Sequence, residues 1–322
     1  MKFNLTNILL IYVMMIGIMM SVSSNNWMMM WSGLEISLMC FIPLMSGGVT
    51  GSESSMKYFI VQSISSAMLM LAIMLMISLN NKYNSIFMVS LCMKMGIAPF
   101  HNWILSIINS LSFMMVLILF TLMKIAPLVM MSYFNLNINL FVMMSLIIGS
   151  IFSLNQNSIR KLMSYSSIYN MGYMLSCINM NYIWMTYLVI YSSILTMLMY
   201  VLYKLKINYL NQFMINENFP IVNTNLWLLV LSMGGMPPFL GFLPKFLVFQ
   251  MMILKKMFLT LTVMIITSLM TMFFYMRMMF LSFINHFLMM KQNTKFFLKI
   301  TLWLLVVNII SFPVLITLKY FN

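Results

Sequence analysis

The sequence predicts an all-α, polytopic membrane protein of about eleven transmembrane helices. Three observations carry that prediction. Of the 322 residues, 63% are apolar and only 6% are charged, whereas a soluble chain is usually about 25% charged. The acids are Glu35, Glu53 and Glu217, with no Asp, so polar groups cannot cover a globular surface. Apolar runs of about 20 residues, enough to span hydrocarbon, follow one another along the chain, whose mean hydropathy is +1.01. A soluble one- or two-core enzyme is excluded.

The runs lie at about 3–22, 25–45, 56–79, 85–106, 111–133, 138–155, 161–179, 182–205, 225–251, 258–283 and 297–319. The first, behind Lys2 and ending in serines, has the outline of a signal peptide but is expected to stay on the chain as a span. The second carries Glu35, the fourth Lys94 with Pro99 and His101, and the fifth Lys124 with Pro127. The sixth and seventh are short and polar, and the seventh holds the run Ser164, Tyr165, Ser166, Ser167, Ile168, Tyr169, Asn170. The ninth contains three glycines and three prolines between 234 and 244, with Lys245 directly after Pro244. The tenth carries Arg277. The longest connection, about 206–224, is too short for a folded domain, so residues 1–322 read as one membrane domain.

Composition speaks to origin more than to mechanism. Methionine reaches 46 residues while alanine occurs at 67, 72, 98 and 126 only. Leu and Met fill an apolar span almost equally well, so this bias reads as the codon composition of an AT-rich organellar genome. A Met-rich binding surface would concentrate the residue, which is instead spread over every span. The net charge of +14 comes from scattered lysines and arginines with no run above two, so no nucleic-acid partner is expected. Cys40, Cys92 and Cys177 sit in apolar runs without ligand spacing and read as small buried hydrophobes. Nine loop cations lie on the side of the N-terminus and four on the other, which puts the N-terminus on the matrix or cytoplasmic face.

Glu35, Lys94, Lys124 and Lys245 fall inside spans. Each costs roughly 2.5–3.5 kcal/mol at the bilayer centre. Pairing merely to hold helices together would leave charge over, with three lysines against one acid, and Ser, Thr or Asn suffices for that purpose. Each lysine also lies near a proline, at 99, 127 or 244. Proline frees the carbonyl four residues earlier, here those of Met95, Met123 and Leu240, and a broken helix offers acceptors and a hydrated pocket. Lys94 and Lys245 sit five spans apart, on helices crossing in opposite directions, which predicts two inverted repeats, spans 1–5 and 6–10, plus a C-terminal helix. Lys124 would then correspond to Arg277, and Glu35 to the region of Ser166–Asn170.

Such groups suit proton movement. Desolvation brings buried amines and carboxyls toward neutral pH by up to ~3–5 units. Lifting a proton against about 150–200 mV takes roughly 3.5–4.6 kcal/mol, or a swing in proton affinity of about 2.5–3.4 pH units. His101 reads either as a relay or as a hydrogen-bonded structural group. The run 164–170 reads either as the lining of a water wire or as a cross-link between helices. There is no phosphate-binding glycine loop, no metal-ligand cluster and no nucleophile–base set, so redox chemistry is expected on another chain.

Several stretches resemble the animal mitochondrial NADH dehydrogenase subunit 2 family: residues 33–36 and 41–44, Glu53 with 57–59, 93–101, 124–127, 234–238 and 241–245. They run in family order from about residue 25 to 280. The resemblance implies an antiporter-like, proton-translocating membrane subunit of respiratory complex I, in the mitochondrial inner membrane with its N-terminus in the matrix. It implies Glu35 and Lys94 as a modulating pair, Lys124 as central relay and Lys245 as terminal lysine. It implies other complex I membrane subunits and the lipid bilayer as partners. No cofactor is expected on this chain; NADH, FMN, Fe–S clusters and ubiquinone would be on partner subunits. Full-length relatives have fourteen helices and the animal mitochondrial form lacks the first three, in line with eleven spans. The chain departs from the family after Trp103, where Leu105 and Ser106 replace Pro and an acidic or amide residue, and at Asn170, where His is usual. A stand-alone cation/proton antiporter and a structural membrane spacer are the alternatives.

Overall fold

Helix is the form a bilayer imposes on an apolar backbone, because each N–H and C=O then bonds within its own segment. The computed structural model describes residues 5–79, 84–134, 138–179, 182–212 and 220–288. The elements are α1 (Leu5–Ser23), α2 (Trp27–Met45), α3 (Gly48–Leu79), α4 (Asn84–Met95), α5 (Asn102–Ile107), α6 (Phe113–Phe120) and α7 (Leu122–Ser132). They continue with α8 (Asn139–Leu154), α9 (Ile159–Ser176), α10 (Ile183–Leu205), α11 (Pro220–Gly234), α12 (Phe242–Leu254) and α13 (Phe258–Leu288). Among the described residues, six segments are long and apolar enough to cross a membrane: Leu5–Ser23, Trp27–Met45, Gly48–Ser78, Phe113–Ser132, Ile183–Leu205 and Phe258–Phe280.

The helices fall on the first ten apolar runs. The fourth run is divided into α4 and α5, the fifth into α6 and α7 at Thr121, and the ninth into α11 and α12. The run at 297–319 lies outside the described residues, as do Glu217, Lys2, Lys82, Lys291, Lys295, Lys299 and Lys319. α3 begins eight residues before its run, because its polar start is helical: Ser52, Ser54 and Ser55 bond carbonyls of their own helix and Lys57 pairs with Glu53 one turn away.

The chain divides into two compact units at Ser145 and Leu146, inside α8, and each is described by itself. In the first unit α1 and α2 form a hairpin whose crossing uses small residues four apart on both helices, Gly17 with Ser21 and Gly33 with Ser37. A Cβ on Gly33 would stand 2.5 Å from the Gly17 carbonyl oxygen and 2.8 Å from Ser21 N, so the two backbones touch. α7 packs on α1, α2, α4 and α6, while α3 packs on α2, α4 and α5. In the second unit α10 packs on α9, α11 and α12, and both α11 and α12 pack on α13. Arg277 of α13 reaches the end of α8, donating to the Leu154 carbonyl at 2.7 Å and to Asn157 Oδ1 at 3.1 Å. Cys40, Cys92 and Cys177 are buried thiols.

Candidate functional site

Two of the three helix breaks lie near the expected prolines but are made by glycines. α4 ends at Met95 because Gly96 takes φ +67°, a conformation that a side chain disfavours. Gly96 N–H donates to the Met93 carbonyl (3.2 Å) and Ile97 N–H to that of Cys92 (3.0 Å), the paired bonds of a left-handed helix stop. Pro99 lies beyond that stop. α11 ends in the same way: Gly235 has φ +80°, Gly235 N–H bonds the Ser232 carbonyl (3.0 Å) and Met236 N–H that of Leu231 (3.3 Å). Pro244 sits in the first turn of α12, where its missing N–H has no helical partner to lose. Pro127 lies inside α7, which continues to Ser132, and the interruption of its run falls upstream at Thr121. A shared pattern follows from the stops, Gly96-Ile97-Ala98-Pro99-Phe100 and Gly235-Met236-Pro237-Pro238-Phe239, with the same next turn: Phe100 N–H bonds the Ile97 carbonyl (2.7 Å) and Phe239 N–H that of Met236 (2.9 Å).

Among the described residues, the buried charged side chains are Lys94, Lys124 and Lys245, at 8%, 3% and 5% exposure. In the first unit, Lys94 Nζ lies 3.4 Å from Oε1 of Glu35, whose side chain is 22% exposed. The tight α1–α2 crossing brackets Glu35 between Gly33 and Ser37, which holds the helix that carries the acid. Lys94 and Lys124 line one cavity of about 20 Å³, together with Ser37, Tyr58, Gln62 and Trp103. That volume is about what one water needs. Lys124 Nζ has no hydrogen-bond partner among the described residues and stands 5.2 Å from the ring centre of Phe120. The open end of α4 is closed by side chains: Gln62 Nε2 donates to the Lys94 carbonyl (3.2 Å) and Trp103 Nε1 to that of Met93 (3.2 Å). His101 is not among the residues lining this cavity; its Nδ1 sits 3.2 Å from the Pro99 carbonyl oxygen, within its own turn.

In the second unit Lys245 Nζ donates to the Gly234 carbonyl at 2.6 Å and faces the Tyr169 ring at 5.5 Å. Gly235 leaves the ammonium its room, since a Cβ there would come within 2.9 Å of Nζ. The polar run of α9 is buried. Ser166 and Ser167 bond carbonyls of their own helix, while Asn170 Oδ1 accepts from the Tyr187 hydroxyl at 2.8 Å, tying α9 to α10. Thus Glu35, Lys94 and Lys124 come together, and Lys245 has its own setting.

Sequence reasoning missed Gln62, the Trp103 bond to Met93, the small-residue crossing and the meeting of Lys245 with Tyr169, which it read only as part of the polar run 164–170. The signals for the crossing and the stops were present, as Gly17 and Ser21 against Gly33 and Ser37, and as the repeated Gly-x-x-Pro-Phe. Those for Gln62 and Tyr169 were not, because each acts on a residue at least 32 positions away.

The family model for the NADH:quinone oxidoreductase/Mrp antiporter transmembrane region matches residues 24–86 and 82–271. NADH-ubiquinone oxidoreductase chain 2 of Anopheles gambiae is 38% identical over 291 residues, covering 85% of both chains. Its counterpart in Aedes aegypti is 36% identical over 284 residues, 83% of both. Among solved structures, a chain of respiratory complex I from Thermus thermophilus superposes with a TM-score of 0.77 at 20% identity, over 88% of this chain and 71% of that one. A chain of the archaeal membrane-bound sulfane sulfur reductase does so at 0.84 and 15% identity, over 97% and 73%. Helices that stop at a left-handed glycine beside a buried lysine thus stand in a chain that belongs to the NADH:quinone oxidoreductase/Mrp antiporter transmembrane family, alongside NADH-ubiquinone oxidoreductase chain 2.

Proposed function

We propose that this chain is subunit 2 of the proton-translocating NADH:ubiquinone oxidoreductase of the mitochondrial inner membrane, carrying protons while partner chains carry electrons. One observation supports the reading most directly: Lys94, 3.4 Å from Glu35, shares a cavity of about 20 Å³ with Lys124, whose Nζ has no hydrogen-bond partner among the described residues. With the Glu35 carboxylate near, Lys94 keeps its proton. When the pair separates, the Lys94 ammonium loses its counter-charge, and its proton passes across the shared cavity to the Lys124 amine. Lys245 delivers protons to one membrane face. His101 serves as a relay or stabilises the turn after Pro99.

In this reading the chain is a single antiporter-like domain, 1–322, crossing the membrane eleven times with its N-terminus in the matrix. Spans 1–5 and 6–10 are inverted repeats and the last helix follows them. The Gly-x-x-Pro-Phe stops on the fourth and ninth spans support the repeat, since an odd offset reverses direction. NADH, FMN, Fe–S clusters and ubiquinone belong to partner chains, and the neighbours are other membrane subunits of the complex.

The test replaces Lys94 or Lys124 by Met in a complex that still assembles on native gels, and counts protons moved per NADH oxidised. Each variant should lower that ratio; full pumping in both would favour a spacer. The match to the Mrp antiporter family keeps a second reading, a stand-alone cation/proton antiporter, which requires the chain to exchange ions outside any complex.

A further inference from the structure

The described part of the second unit contains no acid: Glu35 and Glu53 belong to the first unit, and Glu217 lies outside the described residues. Lys245 nevertheless carries its ammonium at 5% exposure. Two groups face it. The Gly234 carbonyl, 2.6 Å away, belongs to the negative end of a half-helix. The Tyr169 ring, 5.5 Å from Nζ, is within the ~6 Å at which an aromatic face attracts a cation. Tyr169 is itself held firmly. Its backbone abuts Gly149 of α8, where a Cβ would stand 2.8 Å from Tyr169 N. Its hydroxyl donates to that of Tyr173 (2.8 Å), which donates to the Met264 carbonyl (3.1 Å). A backbone carbonyl cannot pass a proton on, so this chain of hydroxyls ends there and fixes the ring.

We infer that Tyr169 is a positioning residue for Lys245, its ring face standing where Lys94 has the carboxylate of Glu35. The inference rests on the reading of Lys245 as a proton carrier. It also assigns the work to the ring and not to the hydroxyl, which separates the two by substitution.

The experiment measures protons moved per NADH oxidised in vesicles holding the intact complex. It compares Lys245→Met, Tyr169→Phe, Tyr169→Leu and the double variant of Tyr169→Leu with Lys245→Met. Lys245→Met should lower the ratio, Tyr169→Phe should leave it near wild type, and Tyr169→Leu should reduce it to roughly a third or less. The double variant should pump no worse than Lys245→Met alone, because Tyr169 acts through the lysine. If Tyr169→Leu does not assemble, phenylalanines of rising ring fluorination at 169 replace it, and the ratio should fall as the ring face loses negative charge. Wild-type pumping in Tyr169→Leu, a flat fluorination series, equal losses in Tyr169→Phe and Tyr169→Leu, or a double variant below Lys245→Met would each overturn the inference alone. Full pumping in Lys245→Met would overturn the proton-carrier reading with it.

Discussion

The Lys94 and Lys245 sites are each built on a helix interrupted in the same way, and they solve the burial of an ammonium differently. Both helices stop at a glycine of positive φ, with the same two backbone bonds and the same Pro-Phe turn. Lys94 lies before its stop and meets a carboxylate; Lys245 lies after its stop and meets a carbonyl and an aromatic ring. The backbone device is therefore common, while the position of the lysine and the chemistry of its counter-group vary. An acid can gain or lose a proton and so can modulate its partner. A carbonyl and a ring cannot, and they offer a constant environment.

Five substitutions would break or sharpen this contrast. The largest effect is expected from Gly33→Leu, which drives a side chain into the α1 backbone at 2.5–2.8 Å. It should cost more than about 4 kcal/mol and abolish assembly on native gels. Next is Glu35→Gln, which leaves Lys94 buried without its charge partner. Breaking a buried pair costs about 3–5 kcal/mol, with the lower end expected because Glu35 is 22% exposed. Assembly should survive while protons per NADH fall, and an unchanged ratio would remove the modulating role.

Smaller effects should separate the glycines. Gly96→Ala and Gly235→Ala each place a side chain in the left-handed region, at about 1–2 kcal/mol. At Gly96 the intruding methyl meets the Ile104 side chain, and at Gly235 it meets Lys245. Thermal stability of the complex should drop in both, but proton pumping should drop beyond the stability loss only in Gly235→Ala. The least effect is expected from Lys57→Met, which removes an exposed pair with Glu53; assembly and pumping should stay at wild-type levels.

Much of this was legible in the chain itself. Apolar runs mark helices because burial in lipid leaves the backbone no other form, and Lys94, Lys124 and Lys245 stand out because each sits within such a run. The residues that interrupt the helices were misread. Proline announces a lost N–H, yet Gly96 and Gly235 end the helices, and positive φ leaves no trace in hydropathy. Partners such as Gln62 for the Lys94 carbonyl, or Tyr169 for Lys245, depend on how separate helices pack, and no periodicity within one segment encodes that.

The serines have one more consequence. Ser37, Ser90, Ser166 and Ser167 each donate their hydroxyl proton to a carbonyl of their own helix, at 2.7–2.8 Å. A hydroxyl engaged in that way has its hydrogen turned toward its own helix, which satisfies it without a partner from outside. These helices are rich in oxygen, and much of it is engaged by their own backbone. A hydroxyl satisfied within its own turn is tolerated in lipid, so the bundle carries its polarity without calling water in along every helix.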